Sequence, residues 1–295
     1  MKQKILFIGL GMMGYPMATL LSKAGYPLSV ADADAKRARQ FADEFHASAV
    51  ALDEPSAIDA DIVITMLPSS SVVEAVLLGA DGSAGIVPHL KPGTAIIDMS
   101  SSEPLRSRQL AETLATKDIR FIDAPVSGGV KKATDGSLAI MVGGAKETFD
   151  ACSPILGEMG KTLFHVGGPG AGHAIKALNN YVSAAGLVAA VEALHVGERF
   201  GLDPAVMTDV INASSGRNNT TENKIKQYML SATFNSAFAL QLMAKDLGIA
   251  MDLGKSLGYP MPLGDECRGI WDSAASRLDR TGDHTEMYRL LARQS

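Results

Sequence analysis

The sequence is poor in cysteine. Cys152 and Cys267 are the only two among 295 residues, too few for a disulfide framework, and they point to a reducing, cytoplasmic setting. Metal-ligand spacing is missing as well. The histidines at 46, 89, 165, 173, 195 and 284 form no HxxxH pair and the cysteines no CxxC, so no metal is expected. There is no basic excess: 27 Lys and Arg against 32 Asp and Glu give a net charge of −5. That argues against a nucleic-acid binder, which usually shows a basic face, but not against a small anionic substrate, for which one or two placed cations suffice. No apolar run reaches the roughly 20 residues of a bilayer span. The best candidate, Ala184 to Val196, carries Glu192 and His195, so no membrane partner is expected. A secretory leader is not expected either, because the run Ile5-Leu6-Phe7-Ile8 is short and a glycine motif follows at once. Nor is a transit peptide expected ahead of Ile5.

With 46% hydrophobic residues, the chain has material for a large core, and its length suggests two domains. The first half alternates short apolar runs with helical patterns. Strands are predicted at Ile5–Ile8, Leu28–Ala31, Ile62–Met66, Ala95–Asp98, Phe121–Asp123, Leu138–Val142 and Leu163–Val166. A helix is predicted over Met13–Ala24, stopped by Gly25, and another over Ala145–Met159. Such alternation reads as a parallel sheet covered by helices. Near Gly167-Gly168-Pro169-Gly170 the pattern changes. Ala171–Phe200 reads as one long helix, and Met207–Ile211, Phe238–Leu257 and Asp265–Arg277 continue in helical period. The expected architecture is an α/β Rossmann-type doubly wound sheet over 1–166, then an all-α domain over 167–295 that opens with a long interdomain helix.

Gly9-Leu10-Gly11-Met12-Met13-Gly14 is a GxGxxG between a buried-type strand and a helix. Its glycines permit the tight turn, the close approach of backbone to a pyrophosphate, and helix–strand packing. The helix N-terminus offers N–H groups to phosphate. Asp32 ends the second strand, where a carboxylate accepts hydrogen bonds from the adenosine ribose and repels a 2′-phosphate. NAD is therefore expected over NADP, although Lys36 and Arg37 are cations that a phosphate could meet.

Four motifs in order resemble the 3-hydroxyisobutyrate dehydrogenase family of β-hydroxyacid dehydrogenases, which includes tartronate semialdehyde reductases. They are the opening Gly9 to Ala18 (GLGxMGxxMA); Asp123-Ala124-Pro125-Val126-Ser127-Gly128-Gly129; Gly170 to Asn180 (GxGxxxKxxxN); and Phe238 with Lys245-Asp246-Leu247 (FxxxLxxKDL). The resemblance covers nearly the whole chain. It implies hydride transfer between NAD and C3 of a small β-hydroxyacid or its semialdehyde, with Lys176 as the catalytic acid/base.

Residue chemistry agrees with this. Lys176 and Asn180 are four apart on a helix and share a face, which suits holding a hydroxyl or carbonyl oxygen. Ser127, Gly128 and Gly129 can bind a carboxylate through a hydroxyl and backbone N–H groups. The resemblance further implies cofactor contacts from Leu67, Pro68, Ser101 and Lys245, a substrate held between the two domains, and a homodimer or homotetramer. The segment Ser214-Ser215-Gly216-Arg217-Asn218-Asn219 departs from the family pattern, with Asn where an aromatic is frequent. A more polar wall there would suit a hydroxylated or anionic C3–C4 acid. The alternatives are an imine or carbonyl reductase of the same architecture, a 6-phosphogluconate dehydrogenase relative, and a non-catalytic NAD-binding sensor. The lysine and the absence of a basic cluster count against the first two, and the Lys176/Asn180 pair with the Ser127 loop against the last.

Overall fold

A computed structural model describes residues 2–52, 58–80, 84–279 and 281–292. The chain divides into two compact units, Met1–Lys176 and Ala177–Ser295.

The first unit is built on a mixed sheet. Strands β1 (Ile5–Ile8), β2 (Leu28–Ala31), β3 (Ser48–Ala49), β4 (Ile62–Thr65), β5 (Ala95–Asp98) and β6 (Arg120–Asp123) pair in parallel in the order β3-β2-β1-β4-β5-β6, the dinucleotide-binding order. β1, β4 and β5 are buried at every position. That is why they read as unbroken apolar runs rather than alternating ones. Helices α1 (Gly14–Lys23), α2 (Ala35–Phe45), α3 (Ser70–Leu78) and α4 (Pro104–Ala115) make the crossovers.

Beyond β6 the sheet departs from the parallel pattern. β7 (Val126–Ser127) and α5 (Gly129–Asp135) lead into β8 (Ala139–Gly144), which runs antiparallel to both β6 and β7. After α6 (Lys146–Met159), β9 (Thr162–Gly167) pairs parallel to β8. Apolar content reports burial and not direction, so the reversal left no trace in the composition of these runs. Ser127 stands at the end of β7 opposite Ala139.

α7 (Ala171–Phe200) begins in the first unit and continues into the second. Among the described residues it alone is long and apolar enough to span a bilayer. Its Ala184, Leu187, Val191 and Leu194 are instead buried in the core of the helical unit, with Leu247 and Trp271. Among the described residues, further α-helices are α8 (Pro204–Asn212), α9 (Asn219–Asn223), α10 (Leu240–Ser256), α11 (Pro262–Ala275) and α12 (Met287–Ala292). α8 starts earlier than its apolar pattern suggested because Asp203 caps the N–H groups of Ala205 and Val206 and Pro204 suits a first turn.

The helical unit carries a buried titratable cluster. His284 Nδ1 lies 3.0 Å from the Phe238 carbonyl oxygen. Burial, and then the Lys224 ammonium, hold the imidazole down to about 4, against the opposing pull of Asp283. Burial also pulls Lys224 down to about 8. Because the folded value of His284 lies below the ordinary 6.5, its contribution is complete above that pH and is lost as pH falls toward 4. The melting temperature is expected to drop across this window, and a His284→Gln variant to flatten that part of a Tm-against-pH curve.

Candidate functional site

The glycine turn is constrained from two sides. A Cβ at Gly9 would lie 2.3 Å from the Met66 carbonyl oxygen, and one at Gly14 would lie 1.9 Å from the Gly9 carbonyl oxygen. Gly9 also sits at φ +99°, a conformation that favours glycine. Gly11 behaves differently: nothing lies within 4 Å of an added Cβ. Two glycines are thus required by packing, while the one assigned to pyrophosphate approach faces open space. Leu10 is buried, Met12 is exposed and Met13 is half-buried at the start of α1.

Asp32 ties this turn to its neighbours. Its Oδ2 accepts from Leu10 N at 2.6 Å and its Oδ1 from Asp34 N at 2.8 Å. Arg37 approaches Asp32 at 3.5 Å and Asp34 at 3.8 Å, so this cation is already facing carboxylates. Asp34 in turn caps α2 through Lys36 N. The residues therefore fit a dinucleotide with free ribose hydroxyls: an open approach at Gly11, a helix N-terminus, and an acid at the end of β2.

The loops after β4 and β5 are joined to each other. Leu67 N donates to Ser100 Oγ at 2.9 Å. Asp98, 1% exposed at the end of β5, accepts from Thr65 Oγ1, Ser100 N and Ser102 Oγ at 2.9, 3.1 and 3.0 Å. Ser101 is half-buried between these anchors, and Pro68 is exposed beside Leu67.

Asp123, fully buried at the end of β6, caps the start of α7. Its Oδ1 accepts from Gly170 N at 2.7 Å and its Oδ2 from His173 N at 2.8 Å. A carboxylate at a helix N-terminus is favoured by the dipole and by the unpaired N–H groups. Gly172 makes the approach possible, because a Cβ there would lie 2.4 Å from the Met141 carbonyl oxygen. Lys176, half-buried, follows one turn later. Ser127 is half-buried, and Gly128 (φ +138°) and Gly129 (φ +66°) turn the chain into α5.

Within the helical unit, Asn180 is 6% exposed and Asp246 4%. Asn180 Nδ2 donates to Asp246 Oδ2 at 2.6 Å, which fixes the orientation of the amide. Lys245 is half-buried on α10. Asn218 is engaged internally: it forms a capping box with Thr221 and reaches the Gly186 carbonyl oxygen at 3.4 Å. Asn219 is exposed.

Sequence reasoning missed Asp98, His173 and the hold of Asp246 on Asn180. His173 was set aside with the other histidines for want of metal spacing. Its position three residues before Lys176 was the available signal.

The turn, its acid and the sheet order define a dinucleotide-binding domain. Comparison with known proteins narrows this. Residues 4–167 match the family model of the NAD binding domain of 6-phosphogluconate dehydrogenase, and residues 170–291 that of the NAD-binding domain of NADP-dependent 3-hydroxyisobutyrate dehydrogenase. The 2-(hydroxymethyl)glutarate dehydrogenase of Eubacterium barkeri is 40% identical over 88% of this chain and 85% of its own. The mitochondrial 3-hydroxyisobutyrate dehydrogenase of Bos taurus is 36% identical over 98% of this chain and 87% of its own. The structure of the Mycobacterium tuberculosis 3-hydroxyisobutyrate dehydrogenase with L-serine superposes with a TM-score of 0.89 at 32% identity, covering 99% of both chains. The chain belongs to the 3-hydroxyisobutyrate dehydrogenase family of β-hydroxyacid dehydrogenases, NAD-dependent oxidoreductases acting on CH–OH groups. The reductase and sensor alternatives are not favoured by these relatives.

Proposed function

We propose that the substrate is a 3-hydroxypropionate with a polar substituent at C2, oxidised at its primary alcohol or formed from the semialdehyde. Hydroxyisobutyrate, serine and hydroxymethylglutarate, the compounds named with the relatives above, share one core: a CH2OH on the carbon that bears the carboxylate. They differ only in the C2 substituent. The observation that carries the catalytic part of the reading is the pinned start of α7. Asp123 holds the turn before Lys176, and Asp246 orients Asn180 one turn after it.

When bound, NAD would supply the acceptor or donor for the hydride exchanged at C3. Ser127 and the N–H groups at Gly128 and Gly129 hold the carboxylate. Asn180 donates its second amide N–H to the C3 oxygen, and Lys176 takes or gives the hydroxyl proton. Leu10, Gly11, Met12, Met13, Leu67, Pro68, Ser101 and Lys245 would hold the cofactor. Asp32 selects NAD by accepting from ribose hydroxyls and repelling a 2′-phosphate. The exposed Asn219 favours a hydroxyl, ammonium or carboxylate substituent over methyl.

The test is a panel followed at the nicotinamide absorbance band, with NAD and with NADP: 3-hydroxyisobutyrate, 3-hydroxypropionate, glycerate, threonate, serine, 2-(hydroxymethyl)glutarate and dihydroxypropanesulfonate. NAD-linked turnover favouring a polar C2 substituent is expected. A preference for 3-hydroxyisobutyrate over every polar analogue would overturn the substrate reading.

Self-assembly is part of the same proposal. Val196 and Phe200 on α7, and Val206 and Val210 on α8, are 59–81% exposed. Each pair is spaced i, i+4, which makes an apolar stripe on one helix face. A homodimer or homotetramer using this stripe is expected to fall apart on Phe200→Asp, read as a drop in mass by light scattering.

A further inference from the structure

His173 occupies a junction that no motif explains. It is 1% exposed. Its Nε2 lies 3.0 Å from the Ser100 carbonyl oxygen, which can only accept, so Nε2 carries a proton and donates. Its Nδ1 lies 2.7 Å from Ser107 Oγ on α4. Its backbone N–H donates to Asp123. Asp98 stands 3.8 Å from one ring nitrogen and Asp123 3.7 Å from the other.

Followed outward, these contacts form one chain within the first unit. Leu67 N binds Ser100 Oγ, the Ser100 carbonyl binds His173, and His173 binds the carboxylate that caps α7. Leu67 and Ser101 belong to the loops assigned above to the cofactor. Lys176 lies one turn beyond His173. Buried networks of this kind hold geometry when every member is satisfied.

We propose that His173 is a positioning residue that sets the Lys176 turn in register with the cofactor loops after β4 and β5. The inference rests on the functional reading above for the roles of those loops and of Lys176. It assigns His173 no contact with substrate.

The test compares His173→Leu, His173→Gln and Ile155→Ala, the last placing a cavity in the same unit away from the network. Each is titrated with NAD and assayed on the best substrate of the panel, alongside its melting temperature. His173→Leu is expected to weaken NAD binding about tenfold and to lower kcat by about 10- to 100-fold, the scale of a small misplacement at a reacting centre. Glutamine can donate to Ser100 and accept from Ser107, and is expected to restore both to within about threefold, on the same argument that the two hydrogen bonds carry the effect. Ile155→Ala is expected to lower the melting temperature while leaving kcat and NAD affinity near wild type. The proposal is overturned if His173→Leu keeps both parameters within twofold of wild type, if glutamine is no better than leucine, or if Ile155→Ala matches the losses. NAD affinity is read without turnover, so a failed Lys176 assignment, seen as an active Lys176→Ala, remains distinguishable from a failed role for His173.

Discussion

Lys176→Ala is expected to reduce kcat by about 10²- to 10⁴-fold, the range supplied by a positioned proton-transfer group, while NAD affinity stays close to wild type. The split follows from where the residue stands. The dinucleotide features are the Gly9–Gly14 turn, Asp32 and the loops after β4 and β5, outside the helix that carries the lysine. The turn of α7 is held by its own backbone through Gly170 and His173 to Asp123, so truncating the Lys176 side chain removes an amine without moving the helix. Arginine should not substitute, because a guanidinium stays protonated and cannot take the hydroxyl proton. Stopped-flow measurement of the hydride step and equilibrium titration with NAD separate the two parameters. Near-full turnover in the alanine variant would sink the assignment.

The second large effect concerns two glycines three residues apart. Gly14→Ala is expected to cost about 3 kcal/mol or more of stability, at the upper end for single substitutions. The added Cβ meets the backbone oxygen of Gly9 at 1.9 Å and the Phe7 ring at 3.2 Å, so no side-chain rotation relieves the clash, and α1 must move off β1. Gly11→Ala places its methyl in open space and should change stability by no more than about 0.5 kcal/mol, yet weaken NAD binding where the backbone must meet the pyrophosphate. Denaturant unfolding and NAD titration on the same two proteins check both. A Gly11→Ala variant that binds NAD like wild type would remove that turn from the cofactor site.

How much of this could be read beforehand depended on the range of the interaction. β1, β2 and β5 were located residue for residue, and α7 over its full span, because burial on both faces or a long helical period leaves a continuous local pattern. The glycine turn and Asp32 were legible for a similar reason: the chemistry sits within one strand–turn–helix unit. β3 and β7 are two residues long and carry no period. β9 is mostly exposed, and its direction relative to β6 is set by the chain reversal at β8. Asp98, Asp123 and His173 are separated by up to 75 positions in sequence and meet only when the ends of β5 and β6 come alongside α7. The place of His173 three residues before Lys176 was a local hint of a role, but its setting between two buried carboxylates is made only by the fold. Asp246 was legible as part of a KDL motif, but its hold on Asn180 joins α10 to α7 and was not.

Because Asp123 shares its carboxylate between Gly170 and His173, the nucleotide-binding half does not end where its last strand ends. A fragment stopped at Gly167 would keep every strand of the sheet and discard the two N–H donors that the carboxylate needs, leaving a charge stranded in an apolar interior. One carried through Lys176 would keep them. Anyone separating the halves for expression, grafting or domain exchange should therefore cut inside the long helix rather than at the glycine-rich connection that the sequence advertises.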